Sequence, residues 1–412
     1  MSGVGGYNGG HVSGLPPAQA PQPTSTVPTP GPRRRGGAAF TVIVTVAILL
    51  GACALAVVLF ASGAPNALVV GVILAALPVG PLIACFMWLD RYEPEPLSLL
   101  ALAFGWGAFV ATTVALVLQV LEQATFALPQ SWAAAIVAPI TEEAAKGLFV
   151  VLLLFARRHE VDGILDGIVY AGVVAVGFAF TENILYLASA YMGGDGLGEG
   201  GLGAATGTFV VRGVFSPFAH PFFTVAIGIG VGYAVVAKRG FVRFLAPLLG
   251  YCVAVACHAL WNGSVFFAGG RLFVLTYLFA MVPAFLLTVG FAVWVRTREG
   301  RMLVRALTDC AQRGFLPHAE VPWLVRIPGR RAARRFAKAN GGPAAARTMA
   351  EYQQQAVELG FLHDRFLRGT APTNFVQRGQ AMVNQLAVLR PYVAFPRVAG
   401  RGWADASRGG PR

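Results

Sequence analysis

Charge is scarce in this chain. Asp, Glu, Lys and Arg make up 12% of its 412 residues, while 56% are hydrophobic. That proportion excludes a soluble fold with a charged skin, and a mean hydropathy of +0.63 marks a polytopic membrane protein. Cysteine is sparse too: Cys53, Cys85, Cys252, Cys257 and Cys310. Four of them lie in apolar stretches, and no CxxC or Cys/His finger spacing occurs. A disulfide framework and a thiolate metal site are thereby excluded, and the cysteines read as small core hydrophobes. Familiar hydrolase signatures are missing as well. His159-Glu160 stands without the second His of HExxH, and neither GxSxG nor Gly-x-Gly-Asp is found. A zinc-binding HExxH helix and a serine nucleophile elbow are both excluded.

What the chain has in abundance is long apolar runs. The first, 38–60, follows Arg33-Arg34-Arg35 and is too long for a signal-peptide core, so it reads as a signal anchor. Seven more follow at about 67–89, 97–121, 132–155, 164–191, 208–237, 241–267 and 272–295. Each approaches or exceeds the roughly 20 residues that a helix needs to cross a bilayer. Pro217, Pro221, Pro247 and Pro283 are expected to kink the longer ones. The fold expected is therefore an all-α polytopic membrane protein of about eight transmembrane helices.

Loop charge orients these spans. With the N-terminus in the cytoplasm, the cytoplasmic loops are 90–96, 157–163 and 238–240, and they carry most of the loop Lys and Arg. The opposite loops, 61–66, 122–131, 193–207 and 268–271, hold one basic residue, Arg271. A multi-pass protein of a bacterial cell membrane with both termini cytoplasmic is the expectation.

Three regions result. Residues 1–36 are rich in Gly and Pro and are expected to be disordered, because they cannot bury a core. Residues 37–296 form the transmembrane domain. Residues 297–412 form a basic, mostly helical cytoplasmic appendage. From residue 301 onward there are 18 Lys/Arg against 6 Asp/Glu. Beside a membrane, anionic lipid headgroups are the expected partner of that charge, and no nucleic acid is expected. Met349, Tyr352, Ala356, Leu359 and Leu362, with Phe366, recur at helical spacing and predict an amphipathic helix.

The most informative stretch is Pro139-Ile-Thr-Glu-Glu-Ala-Ala-Lys146, inside the fourth run. Ionisable groups at membrane depth are costly and mark function. Lys146 follows Glu142 by four residues and Glu143 by three, so one ammonium reaches both carboxylates on a helix. A buried ion pair that locks two helices would explain one Glu but not two. Like charges held together cannot both ionise cheaply, and a carboxylate held near neutrality suits a general base for water.

Other polar groups share this depth. Glu182-Asn183, His220, His258 and Asn262 lie in later runs, with His258 and Asn262 on one helical face. Counted from the outer end of each run, Glu142, Glu182, His220 and His258 reach one level about 13–18 Å deep. One site between helices requires such convergence. Two His and a carboxylate also suit a three-ligand zinc site with an open position. Taken singly, each His reads equally as a hydrogen-bonded core residue, and Asn183 and Asn262 as glue between helices. Arg212 reads as snorkelling outward. Gly228-Ile-Gly230-Val-Gly232 reads as tight helix packing, since no strand precedes it.

Together these residues resemble a known family. Glu142-Glu143-Ala-Ala-Lys146, Phe178-Ala-Phe-Thr-Glu182-Asn183, His220-Pro-Phe-Phe-Thr and His258-Ala-Leu-Trp-Asn262, in that order, are similar to the PrsW family of bacterial intramembrane proteases, distant relatives of the CAAX prenyl endopeptidases. Asp90-Arg-Tyr-Glu-Pro-Glu-Pro96 also looks like that family, and the likeness spans about 68–296. The resemblance implies cleavage of single-span or otherwise membrane-anchored proteins, anti-sigma factors being the best-known class. It implies that Glu142, Glu143 and His220 are essential, with Glu182 and His258 as partners. It leaves open a zinc held by His220, His258 and Glu182, or water activation without metal. Lys146, Asn183 and Asn262 are expected as supporting residues. The rival readings are a proton-coupled membrane transporter, since intramembrane Glu and His also build relays, and a non-catalytic binder of membrane proteins.

Overall fold

A computed structural model describes residues 35–396 except 62, 159, 195–198 and 268. The expected disorder of the N-terminal segment and the last basic residues of the tail fall outside these. Among the described residues every regular element is helical. Seven helices are long and apolar enough to cross a membrane. They are α1 (Ala38–Ala61), α2 (Pro65–Leu89), α3 (Leu97–Phe126), α5 (Ile164–Tyr191), α6 (Gly201–Val236), α7 (Gly240–Phe266) and α8 (Arg271–Gln312). Between α3 and α5 runs α4, helical over 130–156. It is of similar length, and its apolar stretch holds three ionisable residues, Glu142, Glu143 and Lys146, within five positions.

The centre of the bundle is α5, buried along most of its length. Its sequence explains this. Gly167, Ala171, Gly172, Ala175 and Gly177 keep its surface thin, so neighbouring backbones reach it. A Cβ on Gly167 would come within 2.0 Å of the Gly228 carbonyl oxygen, and one on Gly228 within 2.1 Å of the Gly167 oxygen. On the far side of α6, a Cβ on Gly230 would meet the Ala246 oxygen at 2.3 Å. The glycines of 228–232 thus join α6 to α5 and to α7, the packing role expected from the sequence.

Several spans are locally irregular. Turns of π-helix occupy Trp106–Ala111 in α3, Ala133–Val137 in α4, Val210–Phe215 in α6 and Tyr277–Met281 in α8. Such turns leave backbone carbonyls unpaired and often mark functional sites. In α4 the π-turn sits just before Pro139, which starts the regular helix. In α6 the helix breaks at 216–218, next to Pro217.

The last span does not end at the membrane. α8 continues without interruption to Gln312, so residue 296 lies within a helix. Beyond it come α9 (Val321–Val325), α10 (Ile327–Leu367) and α11 (Phe375–Leu389). α10 bends sharply at Gly342, whose φ of 71° suits glycine. Met349, Tyr352, Ala356, Leu359 and Leu362 are buried in this unit's core with Leu303 and Leu307 of α8, while Phe366 is exposed and stacks on Phe375. The unit grips two loops of the bundle. Arg330 donates to the Tyr92 carbonyl at 2.7 Å, and Arg365 pairs with Asp162 at 3.7 Å.

Candidate active site

Glu142 and Glu143 enter the bundle interior from α4, whose backbone is held by side chains of two neighbouring helices. Trp106 of α3 donates its indole N–H to the Ala145 carbonyl at 2.9 Å. Tyr251 of α7 donates to the Ile140 carbonyl at 2.9 Å, and Asn262 donates to the Ala134 carbonyl, inside the π-turn, at 2.8 Å. An irregular helix start thereby has its exposed carbonyls satisfied, which a buried backbone requires.

The ammonium of Lys146 is the hub. It lies 2.7 Å from Glu143 Oε1, 3.5 Å from Glu142 Oε2 and 3.2 Å from His220 Nδ1. Those three contacts use its three N–H donors. Its remaining face rests over the Phe178 ring, 3.9 Å from the centroid. Lys146 is fully buried, and an unmatched cation there would be costly. The one ammonium reaching two carboxylates, expected from spacing, is what the structure contains.

The two glutamates differ. Glu143 is 0% exposed and closely held: Thr224 Oγ1 donates to its Oε2 at 2.7 Å, and His258 Nδ1 lies 3.0 Å from its Oε1. Glu142 instead lines a cavity of about 760 Å³. Its contacts are long, 3.5 Å to Lys146 and 3.5 Å to the amide of Gln119. His258 Nε2 stands 3.9 Å from Glu142 Oε2.

On the opposite wall His220 Nε2 meets Glu182 Oε2 at 2.8 Å. The guanidinium of Arg212 pairs with Glu182 and donates to Asn183 Oδ1 at 2.7 Å, and it lies 3.9 Å from the centroid of the Tyr186 ring. Arg212 therefore turns inward, and the snorkelling expected from sequence is corrected. The reason is local: its π-turn aims the side chain at a carboxylate, which outweighs the pull of the interface.

The structure thus brings Glu142, Glu143, Lys146, Glu182, Asn183, His220, His258 and Asn262 into one cluster; of these, Glu142, Glu182, Asn183, His220, His258 and Asn262 reach the cavity wall. Sequence reasoning missed Thr224, Gln119 and Trp106. Thr224 follows His220 by four residues, a spacing that could have revealed it. Nothing in the local sequence pointed to Trp106.

One set of metal-ligating atoms emerges among the described residues. Glu142, His220 and His258 each offer one atom, all within 4.8 Å of one another. Glu182 engages His220 from outside this set. The donor chemistry suits a divalent ion. The electrostatics do not: the Lys146 ammonium sits 3.5 Å from Glu142 and 3.2 Å from His220, where it would repel a dication. A metal held by these three atoms would displace the Lys146 ammonium from beside them.

The lining includes residues from the ends of helices away from the appendage: Gln119, Val120, Glu122 and Gln123 of α3, Ser189 of α5, and Val265 and Phe266 of α7. The cavity therefore extends toward the face opposite the appendage.

Comparison with known proteins places much of the membrane-spanning part of the chain in a family. Residues 95–288 match the family described as PrsW family intramembrane metalloprotease. Protease PrsW of Geobacillus kaustophilus is 31% identical over 170 residues, covering 41% of this chain and 69% of the relative. Protease PrsW of Clostridioides difficile is 32% identical over 119 residues, 27% of this chain and 50% of the relative. That of Bacillus subtilis is 29% identical over 106 residues, 26% of this chain and 48% of the relative. No solved structure matches the chain.

Proposed function

This chain belongs to the PrsW family and is an intramembrane endopeptidase; from that premise we propose that Glu142 is its general base and that Glu143 orients His258. The observation that carries the assignment is the contrast between the two glutamates. Glu142 faces the cavity with only long contacts, whereas Glu143 is 0% exposed and bonded to Lys146, Thr224 and His258.

The mechanism follows from hydrogen-bond direction. Glu143 accepts from His258 Nδ1–H, which leaves Nε2 as an acceptor turned toward Glu142. A water fits between two acceptors 3.9 Å apart, hydrogen-bonded to both. Its oxygen attacks the scissile carbonyl while Glu142 takes the proton. The same carboxyl then protonates the leaving amine as the C–N bond breaks. The second amide hydrogen of Asn262, one turn from His258, stabilises the oxyanion, a role worth roughly a hundredfold or more in rate. Glu182, Arg212 and Lys146 hold His220 beside the water. Asn183 holds Arg212 in turn.

Zinc is the ion to which two His and a carboxylate are suited; its binding would require Lys146 to move away. The substrate proposed is a single-span or otherwise membrane-anchored protein, with anti-sigma factors as the class to test first. With both termini cytoplasmic, the cavity extends toward the outer face of the membrane, and the cut falls near that face. The basic appendage rests on anionic headgroups, and its protection from protease in liposomes is expected to rise with their anionic fraction. The catalytic assignment is tested with Glu142→Gln and Glu143→Gln enzyme on single-span substrates in liposomes. Wild-type cleavage rates from Glu142→Gln would end it.

A further inference from the structure

Glu122 lies near the end of α3, in the stretch that the loop pattern assigned to an exposed connection. In the structure it is helical and 9% exposed, and its Oε1 has no hydrogen-bond partner. It lines the same cavity as Glu142. The other cavity-lining carboxylates are matched, Glu142 by Lys146 and Glu182 by Arg212. Glu122 is thus the unmatched carboxylate among the described residues of that wall. A charge buried without a partner is costly in the resting protein, and no hydrogen bond within the described fold offsets that cost at Oε1. Its position favours use by a ligand that brings the partner.

We propose that Glu122 is a specificity-determining residue that receives a basic side chain of the protein being cut. The inference rests on the protease reading above. Gln119, which touches Glu142, precedes Glu122 by three residues on the same helix face. Glu122 therefore sits about 4.5 Å further along α3, toward the end of that helix. An extended peptide advances about 3.3 Å per residue. A Lys or Arg one or two residues from the scissile bond, on that side, brings its cation to the Glu122 carboxyl group. Gln123 and Gln130 line the same stretch of wall and offer amides to the substrate backbone. Arg212, the cation lining the cavity among the described residues, is committed to Glu182 and Asn183, and Lys146 behind the wall is committed to Glu142, Glu143 and His220. Among the described cavity-lining carboxyl groups, the one without a cationic partner is thus Glu122, toward the end of α3.

The test uses full-length enzyme in liposomes and single-span substrates that differ only in the residues beside the cut, carrying Lys, Gln or Glu there. Wild type is expected to prefer Lys over Gln by roughly tenfold or more in kcat/KM. Glu122→Gln should bring that ratio close to one, and Glu122→Lys should reverse it in favour of the Glu substrate. Ratios within one variant are independent of the fraction of protein that folds. An unchanged Lys-to-Gln ratio in Glu122→Gln, or no reversal in Glu122→Lys, overturns the role of Glu122. Wild-type cleavage of all substrates without a charge preference also overturns it while leaving the protease reading intact. Failure of wild type to cleave any of them removes both.

Discussion

His258 Nδ1 lies 3.0 Å from Glu143 Oε1, and this one contact sets the direction of the other ring nitrogen, which looks across 3.9 Å to Glu142. Adjacent glutamates in the sequence are in this way given different duties. One fixes a ring, and the other faces the cavity.

The first expected outcome separates them. Glu142→Gln should cost roughly a hundred- to ten-thousandfold in cleavage while the protein stays folded. Glu143→Gln should lower stability as well, because Lys146 loses its nearest carboxylate charge; breaking a buried ion pair costs about 3–5 kcal/mol. Cleavage rate and thermal melting in detergent are compared for both. The assignment fails if Glu143→Gln melts with wild type while Glu142→Gln unfolds.

Metal dependence gives the second. Because Lys146 stands among the would-be ligands, enzyme dialysed against a chelator should keep its activity and carry well under one zinc per chain. Lys146→Met should take up more zinc than wild type. Elemental analysis beside activity decides, and chelator inhibition reversed by zinc would restore a metal mechanism.

Arg212 supplies the third. Arg212→Met leaves Glu182 without its cation, so His220 loses its orientation; a drop of roughly tenfold or more in kcat is expected. Arg212→Lys keeps the charge but not the two-pronged contact, and should recover part of the loss. An Arg212→Met enzyme as fast as wild type would exclude the positioning role.

Stability against pH is the fourth, outside the membrane. Burial pushes Asp90 up to about 8, against the opposing Glu95 backbone bond and with the charge of Asp166 adding to the rise. A carboxyl whose folded value is raised binds more protons folded than unfolded. Stability from this group is therefore fullest below pH 4 and is lost as pH climbs toward 8, by at most about 1.4 kcal/mol per pH unit. Asp90→Asn should flatten that part of the melting-temperature profile. A profile unchanged by the substitution would show that Asp90 does not govern it.

A topology experiment completes the set. Reporters fused after Gly194 and after Gly369 should lie outside and inside the cell respectively. The reverse at either position would invert the cavity's face.

Much of this site was legible because charge in an apolar run has few uses. Glu142, Glu143 and Lys146 stood out on cost alone, and the helical repeat linked them. Tyr352 and Leu362 were readable as an inward stripe for the same geometrical reason. Arg212 reads from sequence as snorkelling because an arginine near a span's end does so unless a buried carboxylate claims it, and Glu182 is 30 residues away in sequence. Glu122 reads from sequence as a loop residue because hydropathy falls before the helix stops. The choice between Glu142 and Glu143 was not readable at all, since it depends on which carboxylate Thr224 and His258 reach from other helices.

The length of α8 has a mechanical consequence. Its 42 residues make a rod of about 63 Å, roughly twice the hydrocarbon thickness of a bilayer. No hinge separates its membrane half from the half that carries the appendage. The appendage therefore rides at a fixed height, like a flag on a stiff pole, and any tilt of α8 in the lipid moves Arg330 against the loop at Tyr92. Spin labels placed at the two ends of the rod should report a single narrow distance, in thin bilayers and thick ones alike.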